Sequence, residues 1–279
     1  MMKKLISMLF VLLCFTTAVS AAATPDKNIP IDISVNGSFI KTDAPAFIDY
    51  DTTFVPIRFV SDALGAHSVT WDQSRATATI KQGSTTIQIT ENKKEAYVNG
   101  RKVILNKSAR IHSGRLYVPV RFVAESFGAR VGWDNTYYIV QINKSGVSVN
   151  SSLIDWRYTK DEIFWLGRII EAESSGEPAS GKVAVGNVIL NRVKSNEFPN
   201  TIYTVIFDRT HGVQFEPIMN GSIYNTPSAE SMISAKRALR GENIAGNSLY
   251  FLNPRTAANS WIANNRPYYM TIHNHDFYL

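Results

Sequence analysis

Cysteine is almost absent from this chain: Cys14 is the only one in 279 residues. It lies inside the one long apolar run, Leu5 to Val19, which follows Lys3 and Lys4 and leads into the small residues Ser20, Ala21, Ala22 and Ala23. That pattern reads as a secretory signal peptide over residues 1–23, too short and too polar in its sequel for a stable membrane span. Bulky Leu13 before Cys14 argues against lipid attachment there. Once the leader is removed no thiol is left, so disulfides, a cysteine nucleophile and a thiolate metal site are excluded. No G-x-S-x-G elbow occurs, which removes the usual strand-turn-helix serine hydrolase. Excess charge is scarce as well. Without Lys3 and Lys4 the net charge falls from +6 to +4, too small and too scattered for a nucleic-acid binder. A mildly basic exported protein of this kind suits secretion and contact with anionic wall polymers. Roughly 255 residues remain, enough for two domains with cores of their own.

An internal repeat fills the first half. VPIRFVSDALGA (Val55 to Ala66) returns as VPVRFVAESFGA (Val118 to Ala129), each followed by Trp-Asp at Trp71-Asp72 and Trp133-Asp134. Upstream, ISVNGSFI from Ile33 is echoed by AYVNGRKVI from Ala96, a period of about 63 residues. Each copy predicts an Asn-Gly hairpin, a short helix between Pro56 or Pro119 and Gly65 or Gly128, and an alternating strand after Trp-Asp. Trp71 and Trp133 are expected as core anchors, with carbohydrate stacking as the functional alternative. Arg58 and Arg121 are expected to bond strand or helix ends. The doubled VPxRF…GA…WD resembles the stalk domain named after the N-terminal region of copper amine oxidases. The resemblance implies a non-catalytic module over residues 31–143, for spacing or wall attachment, and no three-histidine copper site is visible in it. Residues 144–152 (KSGVSVNSS) read as a flexible Ser-rich linker, so a piece from Leu153 onward is expected to act alone.

The second half, residues 153–279, carries the chemistry. Ile163, Leu166, Gly167 and Ile170 have the spacing of a buried helix face, opened by a Thr159–Glu162 capping box. Ala184, Val185, Val188, Ile189 and Arg192 repeat that spacing. Gly176 and Pro178 break the helix between the two halves, and the break holds Glu171, Glu173 and Glu177. Glu173 falls in the last turn of the first helix, where the negative helix end and the apolar layer both favour a protonated carboxyl. Further on, a turn and short helix are expected at Phe198 to Asp208, a loop at His211 to Pro217, and a helix from Thr226-Pro227 to about Arg240. Strands follow at Ser248 to Pro254 and in the final YYMTIHNHDFYL. The fold class is therefore two-domain: an α+β pseudo-repeat domain with one short helix per repeat, then a mainly helical α+β domain closed by a few strands.

The motifs EAESSGEPASGKVAVGNVILNRV, FPNTIY, VQFEP, YFLNP and NHDFY, in this order, resemble the cell wall hydrolase family of SleB-type spore cortex-lytic enzymes. The resemblance implies a lysozyme-like domain acting on peptidoglycan as a lytic transglycosylase, cutting between MurNAc and GlcNAc, without a cofactor. It places the essential glutamate at Glu173, with Glu171 as the competing carboxylate. Expected substrate-binding residues are Glu177, Gln214, Phe215, Tyr250, Asn253, Trp261 and His275. For Glu177, capping of the second helix through Ser180 is an equal reading. Glu216 and Asp208 are open as a second carboxylate, and Asn191 and Arg192 are expected to bond locally. His273 and His275 are expected on one side of a strand, and no metal is assigned to them. The competing readings are a zinc amidase using His211, His273 and His275, and a wall-binding protein without catalysis.

Overall fold

The computed structural model describes residues 29–210, 212–257 and 261–279. The expected signal peptide and His211 lie outside the described residues. No described helix is long and apolar enough to cross a membrane.

In the first domain the two repeats are built into each other. The paired strands are Thr52–Pro56 and Arg115–Pro119, and their register sets Val55 opposite Val118, the same position of the two copies. The hairpin of the first copy, Asp32–Val35 and Ser38–Phe39, joins the Trp-Asp strands of the second, Arg130–Asp134 and Ile139–Asn143. The hairpin of the second copy, Glu95–Val98 and Arg101–Ile104, closes the sheet of the first, Ser68–Asp72, Thr77–Gln82 and Thr85–Thr90. Neither copy is a closed unit, because each completes its sheet with a hairpin from the other. Asn36-Gly37 and Asn99-Gly100 all have positive φ, the geometry that a tight two-residue hairpin requires. Helices α1 (Ile57–Ala63) and α2 (Val120–Ser126) follow Pro56 and Pro119 at equivalent places and pack on the shared core through Val60, Val123 and Ala124. Trp71 and Trp133 are not core anchors: they are 37% and 38% exposed. Val69 and Val131, two residues earlier on the same strand faces, pack against the core in their place, and each indole N–H is bonded to a neighbour in its own turn, Gln73 or Asn135.

In the second domain α3 (Lys160–Ser174), α4 (Ala179–Lys194) and α7 (Ala229–Leu239) form the helical core, with α5 (Ile202–Ile206) and α6 (Glu216–Asn220) packed on α4 and α3. Thr159 and Glu162 make the capping box that opens α3. The helices approach closely at Gly186, where a Cβ would stand 3.0 Å from Ile170 Cδ1 and 3.2 Å from Ala238 Cβ. α7 begins at Ser228, whose hydroxyl caps it, rather than at Thr226-Pro227, and Gly241 in the left-handed region ends it. Short α8 (Trp261–Asn265) and the strands Tyr250–Leu252, Tyr268–Ile272 and His275–Tyr278 close the domain.

Residues 144–152 are not a loose tether. Val147 and Val149 pack on the first core, and the Asn36 amide donates to the carbonyls of Lys144 (2.8 Å) and Val147 (2.7 Å). Beyond them the domains meet in a seam. Phe39, Ile139, Tyr158, Ile163 and Met232 share one apolar cluster drawn from both sides. At its edge Asp32 of the first domain receives the Tyr158 hydroxyl at 2.8 Å, Lys236 Nζ at 2.8 Å and Arg240 Nη2 at 2.5 Å. Lys236 also donates to the carbonyls of Tyr137 and Tyr138, which completes a buried ammonium.

Candidate active site

The break between α3 and α4 is held by Lys182. Its buried ammonium donates to the carbonyls of Ser175 (3.1 Å) and Glu177 (2.7 Å) and pairs with Glu230 at 2.7 Å. The C-terminal carbonyls of a helix need donors, and a lysine from the next helix supplies them. Glu171 and Glu173, two residues apart on α3, point to different sides of that helix, and Glu177 lies beyond its end.

Glu171 turns to α7, where Oε2 accepts from the Ser228 amide (2.9 Å) and hydroxyl (2.5 Å). Burial opposes its ionisation, but the bonds from Ser228 and Ser231 outweigh it and hold the carboxyl below its ordinary value. Glu177 turns to the C-terminal hairpin, accepting from the Asn274 amide group (3.0 Å) and backbone (3.3 Å), with His273 Nδ1 at 3.3 Å. There too burial is outweighed, by Asn274, His273 and His275, and the carboxyl is held low. Glu173 has the opposite fate. Burial and then the charge of Glu216 push it up to about 7 against the pull of Arg192.

Glu173 opens onto a cleft of about 770 Å³. Gln214, Phe215, Tyr250 and Trp261 line the same cleft, as do Asp208 and Glu216. Trp261 stands half-exposed at the rim, while Phe215 is a buried floor. Glu177, Asn253 and His275 do not line it. Glu177 is committed to the His273–Asn274 turn, and Asn253 Oδ1 accepts from the Arg255 amide in a turn of its own. His275 is buried edge-on to Phe251 and Phe277. His273 occupies the turn with φ 51°, so the two histidines do not share a strand face as expected. Among the described residues no group of three or more His, Cys, Asp or Glu gathers as a metal site would.

Arg192 bonds differently from the local role expected. Nε donates to the carbonyl of Leu249 at 2.7 Å, and the guanidinium lies 4.8 Å from the Phe198 ring centre, 5.1 Å from Phe215 and 5.5 Å from Tyr250. Buried Nη1 has no hydrogen-bond partner, and burial lowers the guanidinium pKa to about 10. A cation is thus wedged among three rings beside the acid, with a donor to spare. Asn191 likewise reaches across the fold, to the carbonyls of Gly246 (2.9 Å) and Ser248 (3.0 Å). Cleft residues not singled out in the sequence are Glu197, Phe198, Phe251, Ile262 and Arg266. Phe198 had a usable signal in FPNTIY. Arg266, 4.4 Å from the Tyr250 ring centre, had none because its partner lies on a distant strand.

A carboxyl pushed up to about 7 lies on the wall of a cleft lined by Phe198, Phe215, Tyr250 and Trp261. The copper amine oxidase N-terminal domain family matches residues 34–142, and the Cell Wall Hydrolase family matches residues 176–278. The cell wall hydrolase CwlJ of Bacillus subtilis is 30% identical over 129 residues, covering 44% of this chain and 87% of that protein. CwlJ of Oceanobacillus iheyensis is 32% identical over 107 residues, covering 36% of this chain and 74% of that protein. The chain belongs to the cell wall hydrolase family. The spore cortex-lytic enzyme of Bacillus cereus is 40% identical over 120 residues, 43% of this chain, which span 45% of that protein's length. Among solved structures, the catalytic domain of the germination-specific lytic transglycosylase SleB from Bacillus anthracis has 38% identity and a TM-score of 0.41, covering 45% of this chain and 100% of that one. The family match starts at Gly176, so Gln214, Tyr250 and Trp261 fall inside it and Glu173 just before it.

Proposed function

We propose that the second domain of this exported protein cleaves the glycan strand of peptidoglycan between MurNAc and GlcNAc, with Glu173 as the acid. The observation that carries this reading is the raised pKa of Glu173, about 7, on the wall of a cleft lined by aromatic and hydrogen-bonding groups. A carboxyl that keeps its proton near neutrality can give it to a glycosidic oxygen. Trp261 at the rim offers a ring face to a pyranose, and Gln214 and Tyr250 offer donors and acceptors to its substituents.

In the lytic transglycosylase route one residue serves twice. Glu173 protonates the bridging oxygen, the bond from C1 to that oxygen breaks, and the GlcNAc hydroxyl leaves. The MurNAc C6 hydroxyl then attacks C1 and gives its proton to the Glu173 carboxylate, leaving a 1,6-anhydro end and consuming no water. Arg192 favours the carboxylate that exists between these steps, since its field opposes the upward shift of Glu173. The 40% identity to a spore cortex-lytic enzyme supports peptidoglycan, and spore cortex in particular, as the substrate.

A second reading has an observation in its favour. Glu216 and Asp208 line the same cleft, and Glu216 is near enough to raise Glu173. Either carboxylate would let the site use water, as two-carboxylate glycosidases do. Mass spectrometry of digested sacculi in 18O water separates the two. Products lighter by one water, without label, are expected; labelled reducing muramic-acid ends would make the enzyme a hydrolase. Freed peptides on intact glycan would overturn glycan cleavage altogether.

A further inference from the structure

The first domain carries two grooves at equivalent places of the repeat. One, of about 470 Å³, is lined by Pro56, Ile57, Arg58, Phe59 and Trp71; the other, of about 610 Å³, by Pro119, Val120, Arg121, Phe122 and Trp133. Each indole is exposed by more than a third, and each is fixed by the same device. Trp71 Nε1 donates to Gln73 Oε1 at 2.9 Å, and Trp133 Nε1 donates to Asn135 Oδ1 at 3.3 Å. In both copies the intervening aspartate, Asp72 or Asp134, ties down the turn by accepting from the amides two and three residues on. W-D-[Q/N] is thus a small frame that satisfies the ring's polar edge locally and leaves part of the ring exposed, with Tyr138 edge-on to Trp133 at 6.1 Å. A tryptophan that served only the core would be turned in, since indole burial is strongly favourable.

We propose that these twin grooves bind N-acetylated glycan strands, one pyranose stacked on each indole, and make the first domain a bivalent glycan-binding module. The proposal deepens the glycan-cleaving reading of the second domain and rests on it for the identity of the polymer. Charge decides against other occupants. Arg58 and Arg115 face Asp43 in one groove, and Arg121 faces Asp51 and Glu125 in the other. Arg115 and Arg121 are already paired, with Asp43 at 2.7 Å and Glu125 at 3.2 Å. Such near-neutral grooves have no surplus of cations for teichoic acid or nucleic acid, whereas flat rings flanked by polar groups match the apolar C–H face and polar rim of a sugar. The Trp133 groove is also joined to the second domain by an ion pair. Asp134 accepts Lys160 Nζ at 2.8 Å, Lys160 opens α3, and Glu173 stands in the last turn of that same helix, about 20 Å along its axis.

The test uses the full chain carrying Glu173→Gln, so that substrate survives. Indole N–H signals, assigned by Trp→Phe substitution, are followed by NMR during titration with an N-acetylglucosamine tetramer. The Trp71 and Trp133 signals are expected to shift saturably, and to do so equally when Trp261→Ala removes the cleft's rim. Retention on purified sacculi is expected to fall about tenfold for Trp71→Ala or Trp133→Ala and about a hundredfold for the pair. Both sites are solvent-facing, so the variants should keep the parent's circular dichroism, and Gln73→Ala with Asn135→Ala provides a milder pair. Movement of the Trp261 signal alone would overturn the grooves and leave the cleft standing; movement of Trp71 and Trp133 without Trp261 would do the reverse. Sacculus retention unchanged in a folded double variant, or signals answering to polyphosphate but not to the tetramer, would also overturn the proposal.

Discussion

Asp32 in the seam and Glu173 in the cleft are both carboxylates withdrawn from water, yet they are treated differently. Asp32 Oδ1 accepts from a phenol and a guanidinium, and the Lys236 ammonium stands 2.8 Å from Oδ2, so its charge is met by two cations. Glu173 is bridged by no cation among the described residues, and Arg192 acts on it only through its field. Complete pairing makes a joint; incomplete pairing leaves a carboxyl with a raised pKa, the property the proposed acid needs. The same contrast recurs within one segment, where Glu171 and Glu177 are saturated with donors and Glu173 between them is not.

The largest expected effect tests the cleft side. Glu173→Gln keeps the shape and removes the transferable proton, so turnover on sacculi should drop by about 100- to 10,000-fold with the fold intact. In the unsubstituted protein, kcat/KM should fall as pH rises through about 7, because the acid must be protonated to act. A rate that instead rises through that range would show that Glu173 works as a base.

The seam side should answer in stability. Asp32→Ala strands Lys236, fully buried, and Arg240 without their counter-charge, a change that costs about 3–5 kcal/mol when one member of a buried pair is removed. Urea denaturation reads it. The seam also changes what is expected of the second domain alone. A piece starting at Leu153 lacks Asp32 and the carbonyls that receive Lys236, and it uncovers Met232 and Ile163. It should be markedly less stable than the intact chain. Equal stability of the two would reduce the seam to a passive contact.

What could be read from sequence divides along the same line. Features set by neighbours in the chain were legible: the Asn-Gly hairpins, the Pro-to-Gly span of α1 and α2, the capping box at Thr159, and the helix break that isolates Glu173. Features made by partners far apart were not. Asp32 meets Arg240 across 208 positions, and no local pattern announces such a bond. Polar composition made residues 144–152 look loose, although Val147 and Val149 alternate as an inward face. Trp71 and Trp133 were misjudged because tryptophan is usually buried, and only the local bonds to Gln73 and Asn135 show why these are not. Lys182 stayed hidden because a lysine on an apolar helix face looks like a solvated exception until the carbonyls it caps are seen.

A carboxyl held protonated by its surroundings should cost stability where a paired one does not. The carboxyl of Glu173 titrates near 7 in the folded protein and near 4.5 when unfolded. Between those values the unfolded chain has released a proton that the folded one still holds. Stability from this group is therefore full below about 4.5 and declines as pH rises to about 7, by about 3 kcal/mol at most. Glu173→Gln should remove that slope and be more stable than the parent at pH 8, with little difference at pH 4. Equal pH dependence of the two unfolding curves would mean that the carboxyl is ionised in the free enzyme and that the acid lies elsewhere.

The smallest effect is expected at Glu171, and it separates the carboxylates most finely. Its oxygens hold the Ser228 amide and hydroxyl at the start of α7, and it does not line the cleft. Glu171→Gln keeps an acceptor oxygen for those donors and loses only the charge, which favours a helix N-terminus by about 0.3–1 kcal/mol. Turnover should stay within a few-fold of the parent while thermal stability dips slightly. The folded carboxyl is held low by Ser228 and Ser231, so the dip should be full above the ordinary glutamate value and vanish as pH falls from there through the lowered folded value. A large loss of turnover with stability unchanged would instead mark Glu171 as a partner in the chemistry, and the division between saturated and unsaturated carboxylates would fail at its nearest point to Glu173.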